Sequence, residues 1–126
     1  MEGLKVLLAE DNIVNQKVAT FMFARLGVLF DIASNGQEAF EMYQQKQYDL
    51  ILMDMQMPVM DGLEATRKIR SFEEELTHSH KAFIVALTAN DISEKKQDCI
   101  DAGMDDFMGK PFQEDILRDL FSRKYN

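Results

Sequence analysis

The sequence lacks the features that mark secreted, membrane-spanning and nucleic-acid-binding proteins. It has one cysteine, so no disulfide can form within the chain, which fits a reducing cytoplasm. Its apolar runs are too short to cross a bilayer, and no basic-then-apolar leader opens the chain. With 14 Lys and Arg against 22 Asp and Glu, the net charge of −8 disfavours binding to nucleic acid. We therefore expect a cytoplasmic domain that itself binds neither nucleic acid nor membrane.

Length and composition predict one globular domain over residues 1–126, with 46% hydrophobic and 29% charged residues. Strand-like and helical segments alternate along it. The predicted strands are Lys5–Ala9, Leu29–Ala33, Asp49–Met53, Phe83–Thr88 and Asp106–Met108, and the predicted helices are Val14–Leu26, Gln37–Lys46, Leu63–Phe72, Ser93–Ala102 and Gln113–Arg123. Five β–α units with right-handed crossovers predict an α/β fold, a doubly wound three-layer sandwich around a parallel sheet.

Local signals support several of these elements. The first helix is predicted from a spacing of three and four residues between Val14, Val18, Phe21, Met22 and Arg25. The second helix is expected to bury Ala39, Phe40 and Tyr43, and Gly27 and Gly103 to stop the helices before them. The polar stretch Glu73–Lys81, which holds both histidines, His78 and His80, is expected to be a loop or a frayed helix end. Solvated side chains explain these histidines better than a metal site, which needs more ligands than the stretch offers.

Polar residues stand where the apolar strands end, and this is the most informative pattern in the chain. Glu10 and Asp11 follow the first strand, Asp54 follows Leu50–Met53, Thr88 ends the fourth strand and Lys110 follows the fifth. A buried carboxylate costs free energy unless something there uses it. Functional groups of an open parallel sheet gather at the carboxyl ends of its strands, so these side chains should converge on one site that suits phosphate and metal.

The three acids predict a divalent cation. Glu10, Asp11 and Asp54 would repel one another by about 4 kcal/mol per close pair at an effective dielectric constant near 20. A metal ion relieves this repulsion, and oxygen-only ligands favour Mg²⁺. The alternative for Glu10-Asp11 is a turn that caps the helix behind it. Cys99 is expected to be a buried structural thiol.

These motifs resemble those of response-regulator receiver domains. The resemblance runs from Leu4 to about Leu120 and rests on Glu10-Asp11, on Asp54 in LILMDMQMPVMDG, on Thr88 in ALTAN and on Lys110-Pro111. The variants AEDNIVNQ, MDMQMPVMDGLEATRKIR and AGMDDFMGKP are most similar to receivers attached to hybrid sensor histidine kinases. The resemblance implies the flavodoxin-like strand order 2-1-3-4-5, which the handed β–α pattern alone does not give.

The resemblance also implies a chemistry, in which Asp54 takes a phosphoryl group from a phosphohistidine. Asp11, Asp54 and the backbone carbonyl of Gln56 would bind Mg²⁺ directly, and Glu10 would act through water. Lys110 would pair with Asp54 before the reaction and with a phosphoryl oxygen after it. Its peptide bond to Pro111 is usually cis in this family.

Further positions would control the signal. Thr88 would donate its hydroxyl to the phosphoryl group, and Phe107 matches an aromatic switch position, with a plain core phenylalanine as the alternative. Together they would change the surface of helix 4, strand 5 and helix 5. Gln56 and Asn90 lie where family members tune hydrolysis of the phosphoryl group.

Partners and competing functions follow from the same residues. The implied partners are a histidine kinase transmitter domain, a histidine phosphotransfer domain or both, and a phosphorylation-dependent dimer is compatible with the resemblance. The parent protein is either this receiver alone or a hybrid kinase, which could be anchored in a membrane. A haloacid-dehalogenase-type phosphatase is disfavoured because Gln56 stands where its general acid would be. A receiver that only docks is disfavoured because every acceptor-site residue is present. The chain has no glycine-rich nucleotide loop, so it is not expected to make its own phosphohistidine.

Overall fold

The computed structural model describes residues 3–76, 80–88 and 95–125, and these form alternating strands and helices. The strands are β1 (Val6–Ala9), β2 (Phe30–Ala33), β3 (Leu50–Asp54), β4 (Phe83–Thr88) and β5 (Asp106–Gly109), and the helices are α1 (Ile13–Arg25), α2 (Gly36–Gln45), α3 (Gly62–Glu75), α4 (Lys96–Ala102) and α5 (Glu114–Tyr125). All strand pairs are parallel, in the order β2-β1-β3-β4-β5. The predicted α/β architecture and strand order are confirmed.

Helices cover the sheet on both faces. Alternate residues of β1 and β3 point to opposite sides, so that Leu7 and Ile51 enter one hydrophobic cluster and Leu8 and Leu52 the other. The first cluster contains side chains of α2, α3 and α4, and the second contains side chains of α1 and α5. Every residue of β1 and β3 is buried, which explains why these strands are almost wholly apolar.

Helix α1 leaves most of the stripe whose spacing predicts it exposed, and only Met22 of that stripe packs partly against the core. Val14 and Phe21 of that stripe are 67% and 65% exposed, whereas Ala19 and Phe23 are fully buried. The ring of Phe23 packs edge-on against Phe30, with ring centroids 4.6 Å apart. Apolar residues lie on more than one side of α1, so their helical spacing is compatible with two different buried faces. Aromatic packing against the sheet determines which of the two is buried.

Most element bounds differ from the prediction by one or two residues, and those of β4 agree with it. Gly27 and Gly103 follow α1 and α4 with positive φ angles of 72° and 107°, as expected for helix stops. The predicted start of α4, Ser93, lies outside the described residues, as does His78. His80 is half-buried, and its ring nitrogen Nε2 lies 3.0 Å from the carbonyl oxygen of Tyr48. This histidine is therefore not simply solvated, as the sequence had suggested.

Helix α3 continues to Glu75, into the stretch expected to be a loop or a frayed helix end, and Glu73 is buried there at the amino edge of the sheet. Its Oε1 accepts a hydrogen bond of 2.8 Å from Nη1 of Arg70, one turn earlier. Arg70 also donates to the carbonyl oxygens of Gly103 and Ala82 and to Oδ2 of Asp105, at 2.9, 2.8 and 2.8 Å. We call this set the Arg70 cluster. It joins α3 to the end of α4 and to the starts of β4 and β5.

None of the described helices combines the length and apolar character that a bilayer-spanning helix needs.

Candidate functional site

The residues singled out at the strand ends lie at one edge of the sheet. Glu10 follows β1 and Asp54 is the last residue of β3, with exposed fractions of 1% and 6%. Thr88 ends β4 and lies opposite Gly109 of β5 in the parallel register. Lys110 comes next in the chain. The sheet topology therefore brings two buried carboxylates and an ammonium group to the carboxyl edge, where α/β folds commonly bind ligands.

Lys110 contacts both buried carboxylates. Its Nζ lies 3.0 Å from Oε1 of Glu10 and 3.0 Å from Oδ2 of Asp54, so the expected ion pair with Asp54 is present. The peptide bond to Pro111 is cis. The Lys110 amide donates to the carbonyl oxygen of Thr88 at 2.9 Å, which ties the residue to the end of β4. Burial by itself lowers the pKa of Lys110, but hydrogen bonds to Asp54 and Glu10 outweigh it and hold the pKa above its ordinary value. The ammonium group is therefore charged at neutral pH.

Asp11 completes an acidic pocket. Carboxylate oxygens of Glu10, Asp11 and Asp54 lie within 4.8 Å of one another, and Asp11 is exposed while the other two are buried. Three negative charges face one positive charge, so the pocket keeps an excess of negative charge. This oxygen-only set fits a hard divalent cation, because such ions take carboxylate and carbonyl oxygens and leave other positions to water.

The turn into α1 holds Glu10 through one backbone amide and two side chains. Its Oε2 accepts from the backbone amide of Asn12 at 3.1 Å, and its Oε1 accepts from Nδ2 of Asn15 at 3.4 Å. Nε2 of Gln16 donates to the backbone carbonyl of Glu10 at 2.6 Å. The side-chain amides of Asn15 and Gln16 have no role that was predicted from the sequence. Their position on the first helical turn after the acidic pair Glu10-Asp11 is the sequence signal that could have indicated a role.

The loop after β3 holds Asp54 closely. Its Oδ1 accepts from the backbone amide of Gln56 at 3.3 Å. A Cβ on Gly62 would lie 2.2 Å from the carbonyl oxygen of Asp54, so only glycine lets α3 begin this close to the end of β3. Asp61 caps α3 by accepting from the amide of Glu64 at 2.9 Å. The candidate acceptor is therefore fixed on a rigid strand end.

The other predicted residues lie around this pocket or outside the residues that the structure describes. The side chain of Gln56 is exposed beside Asp54. Phe107 on β5 is half-buried and packs against the cluster that contains α2, α3 and α4. Asn90 lies outside the described residues. Cys99 is buried as predicted, its thiol donates to Sδ of Met55 at 3.5 Å, and burial raises the thiol pKa, as expected for a structural cysteine.

Comparison with known proteins points to one family. Residues 6–122 match the response regulator receiver domain. The hybrid signal transduction histidine kinase K of Dictyostelium discoideum is 45% identical over 122 residues, which are 91% of this chain and 10% of that protein. Histidine kinase 5 of Arabidopsis thaliana is 39% identical over 141 residues, covering 94% of this chain and 15% of the kinase. The chain thus spans about a tenth of the length of the curated relatives it matches.

Solved structures agree with this match. The receiver domain of a sensor histidine kinase from Pseudomonas aeruginosa, with a magnesium ion coordinated in its active site cleft, is 38% identical with a TM-score of 0.83 and 96% of each chain covered. The receiver domain of the response regulator Ssk1 of Saccharomyces cerevisiae, solved with the histidine phosphotransfer protein Ypd1, is 32% identical with a TM-score of 0.86. The match covers 94% of this chain and 86% of that one. With its parallel sheet and its acidic pocket at the carboxyl edge, the chain belongs to the response regulator receiver domain family, and in sequence it is similar to the receiver portions of hybrid histidine kinases.

Proposed function

We propose that this chain is a single receiver domain of a two-component phosphorelay and that Asp54 accepts the phosphoryl group of a phosphohistidine. The observation that carries the proposal is the buried carboxylate of Asp54, 3.0 Å from the Lys110 ammonium and within 4.8 Å of two further acids. Burying such a charge is costly, and a phosphoacceptor site gives it a use.

In the proposed reaction a carboxylate oxygen of Asp54 forms a bond to phosphorus while the phosphorus–nitrogen bond of the phosphohistidine breaks. The product is an acyl phosphate on Asp54. Lys110 is already paired with Asp54. Its ammonium group can therefore pair with a phosphoryl oxygen once the phosphoryl group is attached to Asp54. Thr88, at the end of the neighbouring strand, would donate its hydroxyl to another phosphoryl oxygen. Catalysis here is mainly positioning and charge stabilisation, as in other phosphoryl transfers.

The metal in this proposal is Mg²⁺. Asp11, Asp54 and the backbone carbonyl of Gln56 would bind it directly, and Glu10 would act through water. The relative from Pseudomonas aeruginosa, which holds magnesium in its cleft, supports this choice. When bound, Mg²⁺ neutralises the charge that develops on the transferred group. Because Oε1 of Glu10 already accepts from Lys110, this acid balances the ammonium as well as the metal.

The proposed partner is a histidine phosphotransfer domain or a histidine kinase transmitter domain. Beside the acidic pocket, α1 presents an apolar surface made of Ile13, Val14, Val18 and Phe21, with exposed fractions of 65%, 67%, 39% and 65%. An exposed apolar patch of this kind, with charged groups at one end, suits a helical protein partner that delivers a phosphohistidine. The complex of the Ssk1 receiver with Ypd1 supports a partner of this class.

The proposed output is a change in the surface of α4, β5 and α5. Phosphorylation adds negative charge and acceptor oxygens beside Thr88, which would move toward them and leave room for Phe107 to turn inward. The same surface could serve a phosphorylation-dependent dimer. Similarity to hybrid kinases favours a longer parent protein, with this domain on the cytoplasmic side of any membrane anchor.

Labelling with acetyl phosphate tests the acceptor directly. We expect the chain to be phosphorylated with Mg²⁺ or Mn²⁺ and not in excess chelator, and Asp54→Asn to abolish labelling. Asp49→Asn is the matched control, because Asp49 precedes the same strand at the opposite edge of the sheet, where its Oδ2 accepts from the Lys5 amide. Labelling of Asp54→Asn at the unsubstituted rate would rule out Asp54 as the acceptor.

The docking surface is tested with the same chain. Val14→Glu should slow transfer from a phosphorylated histidine phosphotransfer domain while labelling by acetyl phosphate keeps its rate, because the small donor does not touch α1. Equal slowing with both donors would mean that the substitution damages the pocket instead of the docking surface.

A further inference from the structure

We propose that Gln16 is a positioning residue for the metal site, acting through the backbone carbonyl that directly precedes Asp11. The inference rests on the proposed function, because it concerns the Mg²⁺ that the acceptor reaction needs. Nε2 of Gln16 donates to the Glu10 carbonyl at 2.6 Å, and the Gln16 amide donates to the Asn12 carbonyl at 2.9 Å. The side-chain contact holds the carbonyl directly before Asp11, and the backbone contact is the first i→i−4 hydrogen bond of α1, which anchors Gln16 itself.

The backbone geometry at Glu10 makes this side-chain contact effective. The Glu10 amide still belongs to the sheet, because it donates to the Ala33 carbonyl of β2 at 2.9 Å. The Glu10 carbonyl leaves the sheet and meets Gln16 instead. A peptide group is planar, so fixing this oxygen also fixes the nitrogen and Cα of Asp11 in the same plane. Gln16 thereby sets the direction in which the Asp11 side chain leaves the backbone.

Asp11 needs this support more than the other acids do. Glu10 is held by several donors and Asp54 lies on a buried strand, whereas Asp11 is exposed and sits in the turn between β1 and α1. Partners that orient a metal ligand typically change metal affinity by 10- to 100-fold when they are removed. If the amide of Gln16 only stabilised the first turn of α1, its loss would lower the free energy of unfolding and leave the Mg²⁺ affinity unchanged.

Calorimetric titration with Mg²⁺ distinguishes these roles. Gln16→Met keeps the length and helix propensity of the side chain and removes its donor, while Gln16→Asn keeps an amide that is one methylene too short. We expect both substitutions to raise the Kd for Mg²⁺ by at least about 10-fold. Gln37→Met is the matched control, since it removes an exposed amide that donates to Glu41 on α2 at 3.0 Å, and its Kd should equal that of the unsubstituted chain.

Two further measurements complete the test. Urea unfolding in chelator confirms that each variant is folded at the titration temperature. At saturating Mg²⁺ the acetyl phosphate labelling rate of Gln16→Met should return to within about two-fold of the unsubstituted rate, because the defect lies in metal affinity. An unchanged Kd in both Gln16 variants overturns the positioning role and leaves the proposed function standing. Absence of Mg²⁺ binding by the unsubstituted chain overturns both.

Discussion

Replacing Lys110 with methionine should destabilise the metal-free protein strongly. The substitution keeps the length of the side chain and removes the ammonium group that lies 3.0 Å from Glu10 and 3.0 Å from Asp54. The side chains of these acids are 1% and 8% exposed, and that of Lys110 is 18% exposed, so water can replace the lost partner only in part. Two buried carboxylates would then face each other with the exposed Asp11 nearby.

The expected loss is about 3 kcal/mol in the free energy of unfolding. Breaking a buried ion pair by removing one partner costs about 3–5 kcal/mol. We take the lower end because Glu10 keeps its hydrogen bond from the Asn12 amide. The matched control is Lys46→Met, which removes an ion pair to Asp31 whose side chains are 52% and 42% exposed, and there the loss should stay below about 1 kcal/mol.

Urea unfolding in chelator, with and without added Mg²⁺, measures both variants. Saturating Mg²⁺ should restore most of the loss in Lys110→Met, because the metal then supplies the positive charge, and about 2.7 kcal/mol is gained when its concentration is 100 times the Kd. The pKa of Lys110 is raised in the folded protein, so its contribution is complete below its ordinary value of 10.5 and disappears as pH rises through the higher folded value. The difference between the unsubstituted chain and Lys110→Met should therefore be constant from pH 7 to about 10 and shrink above that. Equal losses in Lys110→Met and Lys46→Met would refute this account of the pocket.

Two further predictions concern the phosphorylated state. Thr88→Ala should keep some phosphorylation of Asp54 but lose the response of the distant surface, so that NMR shifts caused by beryllofluoride and Mg²⁺ stay near Asp54; shifts that persist around Phe107 and α4 would contradict the coupling. Replacing Gln56 and Asn90 together with alanine should change the dephosphorylation rate, measured by loss of the phosphorylated form over time, because amides at these positions can orient water or shield the phosphoryl group. An unchanged rate would remove both from that role.

The fold was predictable because its strands are unambiguous. Buried parallel strands are apolar on both faces, and short apolar runs such as Phe83–Thr88 have no competing interpretation as exposed helices. The strand order came from the family resemblance, since the β–α alternation alone leaves it open. The candidate site was predictable for the same reason, because polar residues that end such strands must share an edge.

What the sequence could not show depends on packing between distant residues. The buried face of α1 is selected by Phe23 against Phe30 and Phe121, which are far apart in the chain. The burial of Glu73 depends on Tyr43 and on the Ala82 amide, which lie outside α3, so the sequence indicated only a loop or a frayed helix end there. The role proposed for Gln16 depends on a turn geometry that no spacing rule describes.

The Arg70 cluster also has a mechanical consequence for α4. It holds Gly103, at the end of α4, and Asp105, just before β5, at the edge of the sheet far from Asp54. Any tilt of α4 would therefore pivot at its last turn, where these hydrogen bonds hold it. A seven-residue helix is about 10 Å long, so a tilt of about ten degrees would move its far end by about 2 Å. If the proposed phosphorylation of Asp54 tilts α4, a change of charge at the acidic pocket would be converted into a displacement of about 2 Å at the start of the helix, while the hydrogen bonds of the Arg70 cluster stay intact.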